Sequence, residues 1–319
     1  MVNGPSMVVH GAVIAPQAME WLGTARGTRV HSLYQNAINL IDEQGKLFTI
    51  VMPPLGPGPF ALLLRPAAKD LQKVGGFVGL LEIDAPVRMR PGVLEVGEIV
   101  VRLTDLQIWD PRPNWPGLRA ALTSEKIERL SQLLRLHAPP GSLAPLVDRA
   151  ALASIFESGS GEDLRSALLR SIAGPARRVL KGLILFDRGQ IRQAASELAG
   201  LGGGVTPAGD DFMEGAVHAL WATRDPEQAQ DLSSIVVEIA SPRTNAVSLA
   251  WLMSAARGEA GSEWHALFDA VTRDAPLDPA AGRLIRRGHT SGADALAGFL
   301  AFLRAMQPLA EKERRLPEV

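Results

Sequence analysis

Over roughly the first hundred residues the apolar positions fall in short runs, SMVVHGAVIA, AINLIDEQGKLFTIVM, FALLLRP and VLEVGEIVVRLTDLQIW, broken by Gly and Pro. Runs of this length, rich in Val and Ile, predict strands, and the second one reads as a hairpin turning at Glu43-Gln44-Gly45. One short helix is expected in this half, from about Pro16 to Leu22. The segment WDPRPNWPG, Trp109 to Gly117, has three prolines and no period, which places a domain boundary there. Beyond it, LRAALTSEKIERLSQLLRLHA, LAPLVDRAALASIF, EDLRSALLRSI, DLSSIVVEIA, AVSLAWLMSAARG and ADALAGFLAFLRAM carry apolar residues at helical spacing. The pattern therefore predicts an α+β fold: a β-rich domain over 1–112, a mainly α-helical domain over 117–307 and a flexible tail over 308–319.

Composition narrows the function classes. With 46% apolar and 21% charged residues the chain is globular rather than disordered. A net charge of -1, with no block of Lys or Arg, offers no electrostatic footprint for nucleic acid. The absence of cysteine removes disulfides, thiolate metal sites and cysteine nucleophiles. MVNGPSMVVHGAVIAPQ lacks a basic n-region and a clean apolar h-region, and no apolar run approaches a membrane span, so a soluble cytoplasmic protein without membrane contact is expected.

One stretch is richer in glycine than a turn requires. GLGGGVTPAGDDFMEGAVHAL, Gly200 to Leu220, has five glycines in its first ten residues, then a Thr-Pro step and two adjacent aspartates. Thr206 before Pro207 predicts a helix start, Thr as N-cap and Pro at the first helical position. Phe212, Met213, Ala216, Val217, Leu220 and Trp221 then share one face, and Asp211, Glu214 and His218 another. Glycines just before a helix N-terminus leave backbone N–H groups free beside the favourable end of the dipole, which suits a phosphate or carboxylate. The plainer reading is a turn followed by a solvated acidic face.

A second segment, RRGHTSGADALAGFLAFL, repeats the order of Gly, Thr, a small-residue step and Asp. It places a Gly four residues after that Asp, so that Asp294 and Gly298 match Asp211 and Gly215. Thr290 or Ser291 is expected to cap a helix that is apolar almost all round and therefore buried. A carboxylate in its first turn needs partners, because an unpaired buried charge is costly. Asp294 thus either secures the turn or faces a ligand. His289 is either a solvated or packed residue or a proton carrier. The two similar helix starts are expected to form two walls of one cleft.

GGGVTPAGDDFMEG and GHTSGADALAG resemble the two signature segments of the AllH family, long described as a domain of unknown function, whose usual wording is close to GLTPSGDDFLxG and GHTSGxDxLxG. SPRTNAVSLAWLMSAARGE resembles a third family segment, and QNAINLIDEQGKLFTI and GPGPFALLL resemble parts of its N-terminal half. The sequence departs from the wording at Ala208, where Ser is usual. The resemblance implies one of three different subunits of oxamate carbamoyltransferase, at the end of anaerobic allantoin degradation in purine catabolism. Its implied partners are an FdrA-type subunit similar to acyl-CoA synthetases and a third subunit. Together they interconvert oxalurate plus phosphate with oxamate plus carbamoyl phosphate.

Carbamoyl transfer needs a cradle for phosphate, donors aimed at the carbonyl oxygen, and help with the proton of a feebly nucleophilic amide nitrogen. Gly203, Gly204, Thr206, Gly209 and Asp210 are the candidates for holding a small anionic substrate. Thr290 and Ser291 are candidate donors, and Asp211, Asp294 and His289 candidate catalytic groups. Arg243, in SPRTN, is either a bidentate clamp for a substrate carboxylate or a surface arginine near a helix start. No cofactor is expected. Two alternatives stand beside this reading. In one, Asp210, Asp211, Asp294 and His289 bind Mg or Zn in a hydrolase of a small carboxylate or amide, although no HxH or HExxH spacing occurs. In the other, the chain is a non-catalytic scaffold subunit that binds an anion.

Overall fold

A computed structural model of the chain describes residues 7–66, 75–148 and 167–313. It divides into two units, the first ending at Pro111 and also taking in Ala260–Ser262, the second beginning at Arg112. The first contains strands β1 (Met7–Ile14), β2 (Arg29–Leu33), β3 (Ala37–Ile41), β4 (Leu47–Val51), β5 (Ala61–Leu64), β6 (Val87–Arg90), β7 (Val93–Val96), β8 (Ile99–Arg102) and β9 (Gln107–Ile108), with helix α1 (Pro16–Thr24) after β1.

The strands form one sheet in the order β2-β3-β4-β5-β1-β8-β7-β6. It curls into a barrel-like shape, with Arg29 at one end bridged to Pro86 beside the other. β1 runs parallel to β8 over Met7–His10 and to β9 over Val13–Ile14, with an irregularity between Gly11 and Val13 where the partner changes. The expected hairpin is β3–β4, paired antiparallel from Ala37–Val51 to Ile41–Leu47. Its turn is held by Asp42 Oδ1, which accepts the Gln44 and Lys46 amides at 2.9 and 2.8 Å. The run IVVRLTDLQIW, read as continuous, breaks between β8 and β9 at Asp105, which has φ +58°. Ile14, Val30, Ile38, Phe48 and Ile50 form the core, and Trp21 of α1 stacks on Phe48 at 4.8 Å.

The second unit is helical: α2 (Trp115–Ala121), α3 (Ser124–His137), α4 (Ala167–Leu185), α5 (Arg188–Leu198), α6 (Ala208–Thr223), α7 (Pro226–Ala240), α8 (Ala246–Ala256), α9 (Ser262–Thr272), α10 (Leu277–Ile285) and α11 (Ser291–Glu313). The stretch from Leu118 to Ala138 is two helices rather than one, because Thr123 caps α3 by accepting the Lys126 amide at 3.3 Å. Within LAPLVDRAALASIF the structure gives a 3-10 turn at Ala144–Val147, and the rest from 149 lies outside the described residues. The same holds for the start of EDLRSALLRSI. α5, α9 and α10 come from stretches with no assigned pattern, and α11 continues into the region 308–319 expected as a tail. Among the described residues, no helix is long and apolar enough to cross a membrane.

α6 and α11 make the most extensive helix contact of the unit, and α2, α4, α5, α7 and α8 also pack on α6. Every residue of α6 from Ala208 to Ala222 is consequently buried. The plainer reading, a solvated acidic face on this helix, is overturned: a period of 3.6 separates two faces but does not say what covers them.

Candidate functional site

The glycine loop is shaped first by packing. A Cβ at Gly200 would fall 2.4 Å from the Arg243 carbonyl oxygen, so only glycine allows the loop to pass the segment between α7 and α8. Gly209 is similarly confined, 2.2 Å from the Leu198 carbonyl. Gly203 and Gly204 instead form an exposed crest, and a Cβ at Gly203 would meet nothing within 4 Å.

Helix α6 starts one residue later than expected. Pro207 is its N-cap and Ala208 its first residue, with no side-chain cap. Thr206 does not cap because its hydroxyl is engaged elsewhere, donating to Asp211 Oδ2 at 3.0 Å and lying 2.6 Å from Ser291 Oγ. This last contact joins the two motif starts, which are 85 positions apart. Ala208 is 5% exposed and packs beside Gly202, so the position lacking the family's usual hydroxyl faces the loop interior. At the second motif Thr290 precedes the first helical residue, and its carbonyl accepts the Asp294 amide at 2.8 Å.

The adjacent aspartates have separate partners. Asp210 Oδ1 accepts the Gly200 amide at 3.0 Å and Oδ2 accepts the Thr244 hydroxyl, so this carboxylate ties the loop to the segment before α8. Asn245 reinforces the tie, capping α8 through the Val247 and Ser248 amides while donating to the Val205 carbonyl at 3.0 Å. Burial raises the Asp210 pKa, and the Thr244 and Gly200 hydrogen bonds oppose it.

Asp211 belongs to a buried polar cluster with Glu214, Arg287 and His218. Arg287 holds both oxygens of Glu214 at 3.0 to 3.2 Å and lies over the Trp251 ring at 5.1 Å, while Trp264 Nε1 donates to Glu214 at 3.3 Å. Burial would push Glu214 upward, but Arg287, helped by His218, holds its pKa down to about 2. Asp211 moves the other way. Burial and the Glu214 charge raise it well above the ordinary carboxylate range, against the pull of Arg287 and Thr206. Two carboxylates here share one guanidinium, and because Arg287 is bonded to Glu214, Asp211 is the one shifted toward its protonated form. Burial lowers the His218 pKa, and its ring is packed edge-on to Trp264 at 4.9 Å, so it sits neutral among aromatic rings.

Asp294 is fully buried. Its Oδ1 accepts the Leu143 amide at 2.6 Å, fixing the chain where it enters the 3-10 turn at Ala144–Val147. Burial raises its pKa to about 6, opposed by the Leu143 amide and the Thr290 hydroxyl. His289 is exposed and takes no part in the hydrogen bonds of the cluster. The Arg243 guanidinium is exposed as well and donates to the Ile239 carbonyl at 2.9 Å, closing the end of α7.

Of the expected site residues, the structure thus brings Thr206, Asp211 and Ser291 into one network beside the crest of Gly203 and Gly204. It ties Asp210 and Gly209 into the loop's base. Glu214, His218 and Arg287 of the cluster, and Thr244 beside Asp210, are residues that the sequence reading left out of the site. The available signal was charge balance, since three acids in five residues of one helix call for a cation, and Arg287 stands beside the second motif. Among the described residues, no three His, Asp or Glu side chains are grouped so as to hold a metal ion.

Residues 198–303 match the family described as oxamate carbamoyltransferase subunit AllH, and residues 11–108 match the AllH family N-terminal domain. Together the two matches cover more than half of the chain. No solved structure matches it.

Proposed function

The chain belongs to the AllH family, which carries the name of an oxamate carbamoyltransferase subunit, and from that premise we propose that it is the subunit that presents the small anionic substrate for carbamoyl transfer. The reaction on this reading interconverts oxalurate plus phosphate with oxamate plus carbamoyl phosphate. An FdrA-type subunit and a third subunit complete the complex. The single observation that carries it is the 2.6 Å contact between Thr206 and Ser291, which sets the second motif against the glycine loop. The exposed crest at Gly203 and Gly204 supplies backbone groups without side chains in front of them, the arrangement that lets an oxyanion approach closely. Ser291, a partly exposed residue, adds a hydroxyl from the other motif.

Phosphate or carbamoyl phosphate should stabilise the folded subunit, by about 2.7 kcal/mol at a hundred times its dissociation constant. Gly203 gives the cleanest test because a side chain there meets open space. Gly203→Val should melt like the unaltered protein and lose the phosphate-induced shift. Identical phosphate shifts in both proteins would refute the assignment of the crest. Failure of the reconstituted three-subunit complex to form carbamoyl phosphate from oxalurate would refute the reaction.

A further inference from the structure

Behind this substrate face runs a hydrogen-bonded chain of three side chains. Asp211 Oδ2 accepts from Thr206 Oγ1 at 3.0 Å, and Thr206 Oγ1 lies 2.6 Å from Ser291 Oγ. The carboxyl end is sealed, with Asp211 2% exposed, whereas Thr206 and Ser291 are only partly covered. We propose that Ser291 and Thr206 form a proton wire between buried Asp211 and the substrate, so that Ser291 exchanges the proton with the nitrogen that leaves or attacks in carbamoyl transfer. This rests on the carbamoyl-transfer reading and adds to it the group that touches the substrate and the path of the proton.

Each hydroxyl carries one hydrogen, so the chain has two complete arrangements. With Asp211 ionised, Ser291 donates to Thr206 and Thr206 to Asp211. With Asp211 protonated, the order reverses and the Ser291 hydrogen points away from the wire. Shifting each hydrogen one place converts one arrangement into the other.

The surroundings set the resting arrangement. Arg287, the cation facing Asp211, is committed to Glu214, one turn further along α6. Asp294 adds a weaker negative influence, His218 is neutral, and Asp210 is turned to Gly200 and Thr244. These surroundings shift Asp211 toward its protonated form, the arrangement that loads the wire.

When a phosphate oxygen attacks the ureido carbonyl, a C–O bond forms and the C–N bond breaks, and the electron pair stays on nitrogen. That nitrogen takes the Ser291 hydrogen, Ser291 takes that of Thr206, and Thr206 takes that of Asp211. The proton carried by the attacking phosphate then returns through Ser291 and Thr206 to Asp211. No net proton is consumed, and the reverse reaction uses the same steps backwards.

Thr206→Val tests the wire, because it keeps the shape of the side chain and removes its hydroxyl. In the assembled complex its kcat should fall by about 30-fold or more while KM for phosphate stays within about threefold, and Thr206→Ser should restore most of the turnover. Adding Thr206→Val to Asp211→Asn should cost nothing further, since both break one path. A Thr206→Val turnover within threefold of normal, or independent effects in the double variant, would overturn the proposal. If the unaltered complex transfers no carbamoyl group, the reaction assignment fails and the wire is decided on the free subunit. There the infrared band of the protonated carboxyl, identified by its loss in Asp211→Asn, should shift in Ser291→Ala, two hydrogen bonds away. An unmoved band would overturn the wire whatever the reaction.

Discussion

Gly215 of α6 and Gly298 of α11 answer one another across the crossing of the two helices. A Cβ at Gly215 would fall 1.7 Å from the Ala295 carbonyl oxygen, and one at Gly298 would fall 2.0 Å from that of Phe212. Each glycine follows its own aspartate by four residues, and each facing carbonyl belongs to the residue after the other aspartate. The repeated spacing of the two motifs is thus a device for close helix crossing. Gly215→Ala or Gly298→Ala must force the backbones apart and should cost about 1–3 kcal/mol or more, a fall of several degrees in Tm. Gly203→Ala, with open space around it, should stay within about 0.5 kcal/mol of the unaltered protein in the same melts.

Breaking the buried ion pair should depend on which partner is removed. Arg287→Met leaves Glu214 and Asp211 without a cation and should cost about 3–5 kcal/mol in denaturant titrations. Glu214→Gln leaves Arg287 beside Asp211, which can ionise in its place. Its cost should be smaller, and the Asp211 pKa, followed by carboxyl carbon NMR, should fall. Equal costs for the two variants with an unmoved Asp211 would contradict this coupling.

Asp294 and Glu214 give opposite pH dependences. Folding raises Asp294 from 3.8 to about 6, so the folded state holds that proton more tightly and stability falls as pH rises across this window. The two-unit span corresponds to roughly 3 kcal/mol. Glu214 is held down from 4.5 to about 2, so its contribution is present above 4.5 and is lost as pH falls through that interval. Asp294→Asn keeps an oxygen for the Leu143 amide and should flatten the stability profile between pH 4 and 6 while leaving the acid-side loss intact. An unchanged slope in that window would show that Asp294 is not its source.

The adjacent aspartates should separate stability from turnover. Asp210→Ala orphans the Gly200 amide and the Thr244 hydroxyl and should cost about 1–3 kcal/mol in thermal or denaturant melts. Asp211→Asn is nearly isosteric and should leave the fold intact while lowering turnover of the assembled complex by about 100-fold. Near-normal transfer in Asp211→Asn would leave this chain a binding subunit.

By itself the sequence determined what depends on neighbours along the chain. Short apolar, β-branched runs marked the strands, Glu43-Gln44-Gly45 marked the hairpin turn, and the two Gly/Thr/Asp segments marked both helix starts and the family. Tertiary structure decided what those local patterns cannot encode. The Asp211, Glu214 and His218 face of α6 has the same 3.6 period whether it meets water or protein, and only the surrounding helices made it interior. The sequence could show that Glu214 needed a cation but not that Arg287, 73 positions on, supplies it. Thr206 had the local features of a cap and became instead a partner of Ser291, because the crossing permitted by Gly215 and Gly298 brings the two helix starts together, and a side chain takes the best hydrogen bond within its reach in space rather than in sequence.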